Sequence, residues 1–399
     1  MSKLKELIQN LCPDGVEYKK LGELLDYEQP TKYIVKSTEY DSSYDIPVLT
    51  AGQTFVLGYT NEKFGVYRAS QDNPTIIFDD FTTSFHWVDF EFKIKSSAMK
   101  MLRPKEAFNG YFKYVYYAMK CIKYEAIDHT RHWISKYSQF EIPFPPSEVQ
   151  KEIVHILDDF TNLAAELQAE LQARKAQYEY YRDKLLSFNN INGGGYAGVT
   201  WMKMSEIGAF IRGKRFVRTD IVNDGIPCIH YGDIYTYYGL YATKSKGRLR
   251  SELASKMRYA QKNDVVIVAA GENKEDIGIG LAWLGEESAA VHDACFIFRS
   301  NLYPQYVSHY LRSNYYHRQI VKYVSEGKIC SISAKGLGNA MIPIPAYEEQ
   351  VRIATLLNNF DALVGDLSQG LPAEISAVQE QYEYYRNKLL SFPRIKIGA

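Results

Sequence analysis

From Val149 onward the apolar positions recur in steps of three and four: Val149, Ile153, Ile156, Phe160, Leu163, Leu167, Leu171, Tyr178, Tyr181, Leu185 and Phe188, with one seven-residue gap across Arg174. That spacing predicts an amphipathic helix of coiled-coil type. Ser147, after Pro145-Pro146, is its expected N-cap. Asn189-Asn190-Ile191-Asn192-Gly193-Gly194-Gly195 is its expected end and a flexible linker. About 42 helical residues would make a rod of roughly 60 Å. A second stripe runs through Ile353, Leu356, Phe360, Leu363, Leu367, Leu371, Ile375, Val378, Tyr382, Tyr385, Leu389 and Phe392. Here Gly370-Leu371-Pro372 is expected to kink or break the helix. Two such rods are expected to pack antiparallel, each covering the other's apolar face.

Outside the rods the period shortens. Ile46–Leu49, Thr75–Phe78, Phe90–Ile94 and Val265–Val268 are short β-like runs between turn signals. Helices are expected over residues 2–11, 111–124 and 304–324. The pattern predicts an α+β fold in which two similar α+β domains are separated by two long helices.

The rods are copies of one another. QYEYYRDKLLSF at 177–188 returns as QYEYYRNKLLSF at 381–392, with eleven of twelve positions identical. IPFPPSEVQKEIVHILDDF at 142–160 answers IPIPAYEEQVRIATLLNNF at 342–360. The offset grows from 200 to 204 between these blocks, a net insertion of four residues. The first rod also contains AELQ twice in tandem, at 165–168 and 169–172. The intervening segments echo one another: Gly15-Val16 matches Gly198-Val199, Ile46-Pro47 matches Ile226-Pro227, and Ile134-Ser135 matches Ile332-Ser333. The expected domains are 1–146 and 191–346, with spacer helices at 147–190 and 347–399, a pseudo-two-fold internal repeat.

Composition changes this picture little. Lys+Arg and Asp+Glu are both 47, so net charge gives no sign of nucleic-acid binding. Local charge does: residues 244–262 hold seven basic residues and one acid, and 93–105 hold five basic residues and none acidic. Tyr is abundant, 33 against 19 Phe and 4 Trp, which suits binding surfaces. Five scattered cysteines without CxxC spacing argue against a zinc site or disulfide framework and fit a reducing, cytoplasmic setting. The longest apolar run, VVIVAA at 265–270, is too short to span a membrane.

Catalytic motifs are near-misses. Gly208 to Arg215 fits G-x-x-x-x-G-K but ends in Arg, where a P-loop needs a hydroxyl. Asp79 or Asp80 with Glu91 and Lys93 has the outline of a nuclease metal cluster. It supports the alternative reading, a single-chain DNA nuclease or methyltransferase. His129 and His132 lack a third ligand. A scaffold without a DNA role is a further alternative.

The duplicated YEYYR[DN]KLLSF signature, the IPFPPSEVQKEI and IPIPAYEEQVRI blocks, the tandem AELQ and the CPDGVEYKKLGEL opening resemble the specificity subunits of type I restriction–modification systems over the whole length. The resemblance implies two target-recognition domains, each reading one half of a bipartite site in double-stranded DNA. It implies helices that set the spacer and dock two copies of a methyltransferase subunit, with restriction subunits joining them. It implies no catalysis and no cofactor in this chain. S-adenosylmethionine would belong to the methyltransferase, and ATP and magnesium to the restriction subunit. Polar, basic and aromatic residues between strand-like runs are the candidate DNA contacts. In the first domain these are Thr50, Gln53, Thr54, Thr82, Thr83, His86, Arg131, His132 and Lys136. In the second they are Arg212, Lys214, Arg215, Arg218, His230, Tyr231, Lys244, Lys246, Arg248, Arg250, Lys328, Ser331 and Ser333. Off the rod stripes, Tyr180, Arg182, Lys184, Tyr384, Arg386 and Lys388 are the candidate docking residues.

Overall fold

The structure, a computed structural model, describes residues 2–52, 54–126, 130–188, 198–365 and 370–395. Its contacts fall into two units, Met1–Ala165 with Ala377–Ala399, and Glu166–Ser376. The division runs through the rods instead of at their ends. Each unit therefore holds one α+β domain, the first half of one rod and the second half of the other.

The first unit is built on Thr75–Asp79, whose apolar residues are buried on both faces. Val, Ile, Thr and Phe suit such a strand because branched and aromatic side chains fill a pleated surface. Its sheet runs Leu25–Glu28, Met99–Pro104, Thr75–Asp79, Phe85–Val88. A second sheet runs Val56–Thr60, Ile46–Leu49, Lys93–Ile94, its last pair parallel. The second unit repeats this plan. Gly208–Arg212, Cys295–Ser300, Val265–Val268 and Gly280–Trp283 lie in the same order, with Tyr241–Ala242 added at the edge. Ile226–Ile229 pairs in parallel with Ala289–Val291, as Ile46–Leu49 does with Lys93–Ile94. Gly208–Arg212 is thus a sheet strand, so the P-loop-like stretch forms no strand-to-helix phosphate cradle.

The repeat extends to single atoms. Gln150 accepts from the Tyr111 backbone N–H at 2.7 Å and donates to the Pro145 carbonyl at 2.7 Å. Gln350 does the same with Tyr303 and Pro345, both at 2.9 Å. Tyr114 donates to the Pro143 carbonyl and Tyr306 to that of Pro343, each at 2.9 Å. These bonds lock each domain onto the start of its rod.

The helix ends differ in detail from expectation. The first rod is one helix, Ser147–Ser187. It begins on the carbonyl of Pro146, which accepts from Val149 and Gln150, so Ser147 lies inside the first turn and is not the cap. The second rod is two helices, Tyr347–Gly365 and Gly370–Leu389. Gly370 takes φ +75°, and Pro372 falls in the new helix's first turn, where proline is tolerated. The expected helix at 111–124 is shorter, Phe112–Met119. That at 304–324 is two, Pro304–Tyr310 and Asn314–Ile320, because Ser313 caps the second. Strand character in Phe90–Ile94 is confined to Lys93–Ile94 and a single antiparallel bridge from Phe92 to Tyr67. The expected linker at 189–195 lies outside the described residues.

Each rod is buried on two sides. Phe160 stacks on Tyr385 (5.5 Å) in the first unit, and Tyr181 on Phe360 (6.0 Å) in the second. Partner numbers fall as the first rod's rise, so the pairing is antiparallel. Leu157, Leu186, Leu357 and Leu390, beside the predicted stripe, are buried against the domains. No described helix is long and apolar enough to cross a membrane.

Candidate nucleic-acid interface and rod surfaces

In the first domain the three predicted stretches meet. Asp79 accepts from the backbone N–H groups of Phe81 and Thr82, both at 2.9 Å, and shapes the turn that carries Thr82. The Asp80 carbonyl accepts from His132 N–H, and its carboxylate from Trp133 N–H, both at 2.8 Å. These bonds tie the Arg131–Lys136 stretch to the turn. Asp80 also pairs with Lys100 at 3.2 Å, with both side chains almost fully buried. His86 Nε2 lies 3.0 Å from the Gly52 carbonyl and its ring packs 4.6 Å from Phe55, which brings in the Thr50–Phe55 loop. Thr50 donates to the Thr54 carbonyl within that loop. Thr54, Thr82, Arg131 and Lys136 are exposed; Thr50 and His86 are half-buried. Two expectations fail. His132 is buried, its Nδ1 bonded to the Tyr124 hydroxyl at 3.0 Å, and Thr83 is buried at φ +60°. Both residues support the loops instead of facing solvent. Gln53 and His129 lie outside the described residues.

The second domain forms a cleft of about 620 Å³ lined by Arg218, His230, Tyr231, Tyr235, Lys246, Glu272 and Asn273 among others. An adjoining hollow of about 680 Å³ shares Arg218, His230, Tyr231 and Glu272 and adds Arg215, Phe216, His292 and Lys328. Residues from four predicted stretches thus converge. Lys214, Arg215, Arg218 and Lys328 are exposed, and none has an ion-pair partner among the described residues. Such cations suit phosphates.

The basic run at 244–262 is mostly engaged within the protein. Lys246 pairs with Asp233 at 2.8 Å. Arg248 donates to the Gly225 carbonyl at 2.8 Å and lies 3.5 Å from Glu287. Arg250 donates to the Thr219 carbonyl at 2.7 Å and pairs with Asp220. Arg212 donates to the Asp293 carbonyl at 3.0 Å. Lys244 is exposed in a separate hollow with Arg248 and Glu286. Ser331 pairs in a short strand with Ala270, and Ser333 caps the helix Ala334–Gly338.

Phe216, Tyr235, Glu272 and His292 were not foreseen. Their only signal was a polar or aromatic residue close to a strand-like run. Burial depresses the pKa of His230, helped by His292, and likewise that of His292. Both rings are neutral at pH 7, so the cleft's positive charge comes from arginine and lysine.

The nuclease-like set is not a set. Asp80 is held by Lys100, Glu91 pairs with Arg68, and Lys93 is buried against Glu62 at 3.0 Å and the Phe64 carbonyl at 2.7 Å. Each charge is taken up by a different partner. Among the described residues no three His, Cys, Asp or Glu groups are placed to hold a metal ion.

On the rods the two copies match. Tyr180 and Tyr384 are exposed to 60% and 59% of their surface, nearly identical. Lys184 lies 5.5 Å over the Tyr180 ring and Lys388 5.3 Å over the Tyr384 ring. The arginines depart from expectation by turning inward. Arg182 is buried over Tyr178 (5.6 Å), and Arg386 lies over Tyr382 (5.4 Å) with its Nε buried. The one position that differs between the copies touches the domains: Asp183 accepts from Asn314, whereas Asn387 meets the Cys121 thiol.

Two α+β domains of one fold, each gathering its own loops, stand on duplicated helices, so the chain is double by construction. The comparisons agree. Residues 13–174 and 198–377 each match the type I restriction modification DNA specificity domain, and the chain belongs to that family. It is 40% identical to the type I restriction enzyme EcoR124I/EcoR124II specificity subunit of Escherichia coli, over 99% of this chain and 98% of that one. A putative type I restriction enzyme specificity subunit of Haemophilus influenzae is 30% identical over 94% and 96%. Among solved structures, a type I restriction–modification S subunit from M. genitalium shares the fold at TM-score 0.56 and 15% identity, over 94% of this chain and 96% of that one. A chain from a study of type I R-M complex assembly and conformational transition does so at 0.60 and 16%, over 95% and 98%.

Proposed function

We propose that each α+β domain reads one half of a split site in double-stranded DNA, and that the rods fix the gap between the halves. Tyr180 with Lys184, and Tyr384 with Lys388, dock two methyltransferase subunits, to which restriction subunits add. In this reading the chain supplies recognition and its partners supply the chemistry, with S-adenosylmethionine held by the methyltransferase and ATP and magnesium by the restriction subunit. The observation that carries it is the doubled architecture: matching bonds at Gln150 and Gln350 hold one fold whose candidate contact residues differ between the copies. Two different readers on equal supports suit an asymmetric bipartite sequence.

The test is a selection. The chain is assembled with its methyltransferase subunits, and bound sequences are recovered from a random duplex pool. Two short specified blocks around unspecified bases are expected. Replacing Tyr180 and Lys184 by Ala should give a complex with one methyltransferase subunit instead of two, read by native mass spectrometry. A single uninterrupted block, or unchanged stoichiometry, would count against the respective part.

A further inference from the structure

His230 carries a donor that the protein does not use. Its Nδ1 accepts from the Gly232 backbone N–H at 3.2 Å, which caps the helix Tyr231–Thr236. An accepting Nδ1 cannot bear the proton, so a neutral ring carries it on Nε2. Burial and the neighbouring His292 keep the ring neutral at pH 7. The Nε2–H has no hydrogen-bond partner among the described residues, and His230 lines both hollows of the cleft.

Two other histidines show the contrast. His292 accepts from the Ala294 N–H at 3.1 Å through Nδ1, and its Nδ1 also lies 3.3 Å from the Asp293 carboxylate. In the first domain His86 engages the Gly52 carbonyl with Nε2. The His230 ring is also held in place, with Tyr231 at 4.5 Å, His292 at 4.8 Å and Phe216 at 6.1 Å.

We propose that His230 is a specificity-determining residue of the second domain and donates its Nε2–H to N7 of a purine in that half-site. A fixed neutral donor reads an acceptor, and of the major-groove acceptors, purine N7, guanine O6 and thymine O4, only N7 is shared by adenine and guanine. Cytosine presents an amino donor there and would be opposed. Arg215, Arg218 and Lys328 border the same hollow without ion-pair partners and can hold the flanking phosphates. The proposal rests on the reading of this domain as a half-site reader.

The assembled complex is first used to recover the split site from a random duplex pool. Each purine of the second half-site is then replaced in turn by its 7-deaza analogue, which has C–H in place of N7. Binding is compared for the wild type, His230→Ala and His230→Ser. The serine keeps a capping acceptor for Gly232 and safeguards the fold. One deaza position should weaken wild-type binding roughly ten-fold and cost the serine variant nothing further, with the first half-site unaffected. The proposal is overturned if no deaza position matters to the wild type, or if the same loss persists without the imidazole. Recovery of no split site would overturn the half-site reading itself, a failure visible before any analogue is tested.

Discussion

The repeat substitutes side chains while keeping their places, and the substitutions set different electrostatic demands. In the first unit Tyr117 donates to Asp158 at 2.5 Å and its ring faces Tyr382 at 6.4 Å. In the second unit His309 fills the matching place, bonded to Asn358 at 2.9 Å and to Tyr178 at 3.1 Å. Burial drives the pKa of His309 down to about 3, and that of His317 is lowered for the same reason. Below pH 6.5 the unfolded chain takes up protons that these folded rings refuse, so stability falls as pH falls. The loss begins near the unfolded value and for His309 continues to about 3, on the order of 1.4 kcal/mol per pH unit for each such group. Urea melts at pH 7.5, 6.0 and 5.0 should show progressive destabilisation that His309→Asn reduces. A flat profile would show that the ring is charged in the folded state. Asp80 makes a second demand. Asp80→Asn leaves Lys100 buried without its counter-charge, a change that typically costs about 3–5 kcal/mol. The midpoint of thermal melting followed by tryptophan fluorescence should shift down, and the paired change of Asp80 and Lys100 to apolar residues should recover most of it. Neither demand could be read from the sequence. A lone Asp and a lone Lys twenty positions apart do not announce that they are buried together, and the same blindness made the Arg248 and Arg250 run look like free cationic surface.

The rods were readable because a seam of period 3.5 repeats itself over many turns and so survives local error. Their second buried side was not. Leu157, Leu186, Leu357 and Leu390 lie one position along from the stripe, where a helix packed only on its twin would face water. They are buried because each rod also lies on a domain, and which flank meets that third surface is decided by the domain's own shape. The same holds for Arg182, which period alone places outside. Gly370 was foreseen as a break, though its reason is stricter than low helix propensity. A Cβ there would come within 2.6 Å of the Leu363 carbonyl and 2.8 Å of that of Ala362, on a backbone at φ +75°. Gly370→Ala should therefore cost about 1–3 kcal/mol, while Pro372→Ala, at a tolerated first-turn position, should cost much less. Melting curves by circular dichroism at 222 nm test the pair. Equal effects would show that the proline and not the glycine sets the break.

The two rods carry different numbers of residues between matching contacts. Twenty-one positions separate Phe160 from Tyr181 on the first, and twenty-five separate their partners Phe360 and Tyr385 on the second. The second rod is two helices, Tyr347–Gly365 and Gly370–Leu389, whereas the first is one unbroken helix. The unbroken member is the stiffer, and the tandem AELQ at 165–172 lies in its middle. Deleting Ala169–Gln172 turns the downstream part of the helix by 400°, about 40° beyond a full turn, and shortens the rod by about 6 Å. The apolar seam stays nearly in phase, so the variant should fold. One base pair of DNA turns about 34–36° and rises about 3.4 Å. Rotation therefore corresponds to one base pair and length to nearly two. Rotation should decide, because a domain turned out of phase faces the wrong side of the groove, whereas an oblique or slightly bent rod absorbs a few ångströms. The deletion is expected to leave both specified blocks unchanged and shorten the unspecified gap by one base pair, measured by mapping methylated adenines across a genome. A gap shortened by two would make length the ruler, and an unchanged gap would remove the first rod from that role.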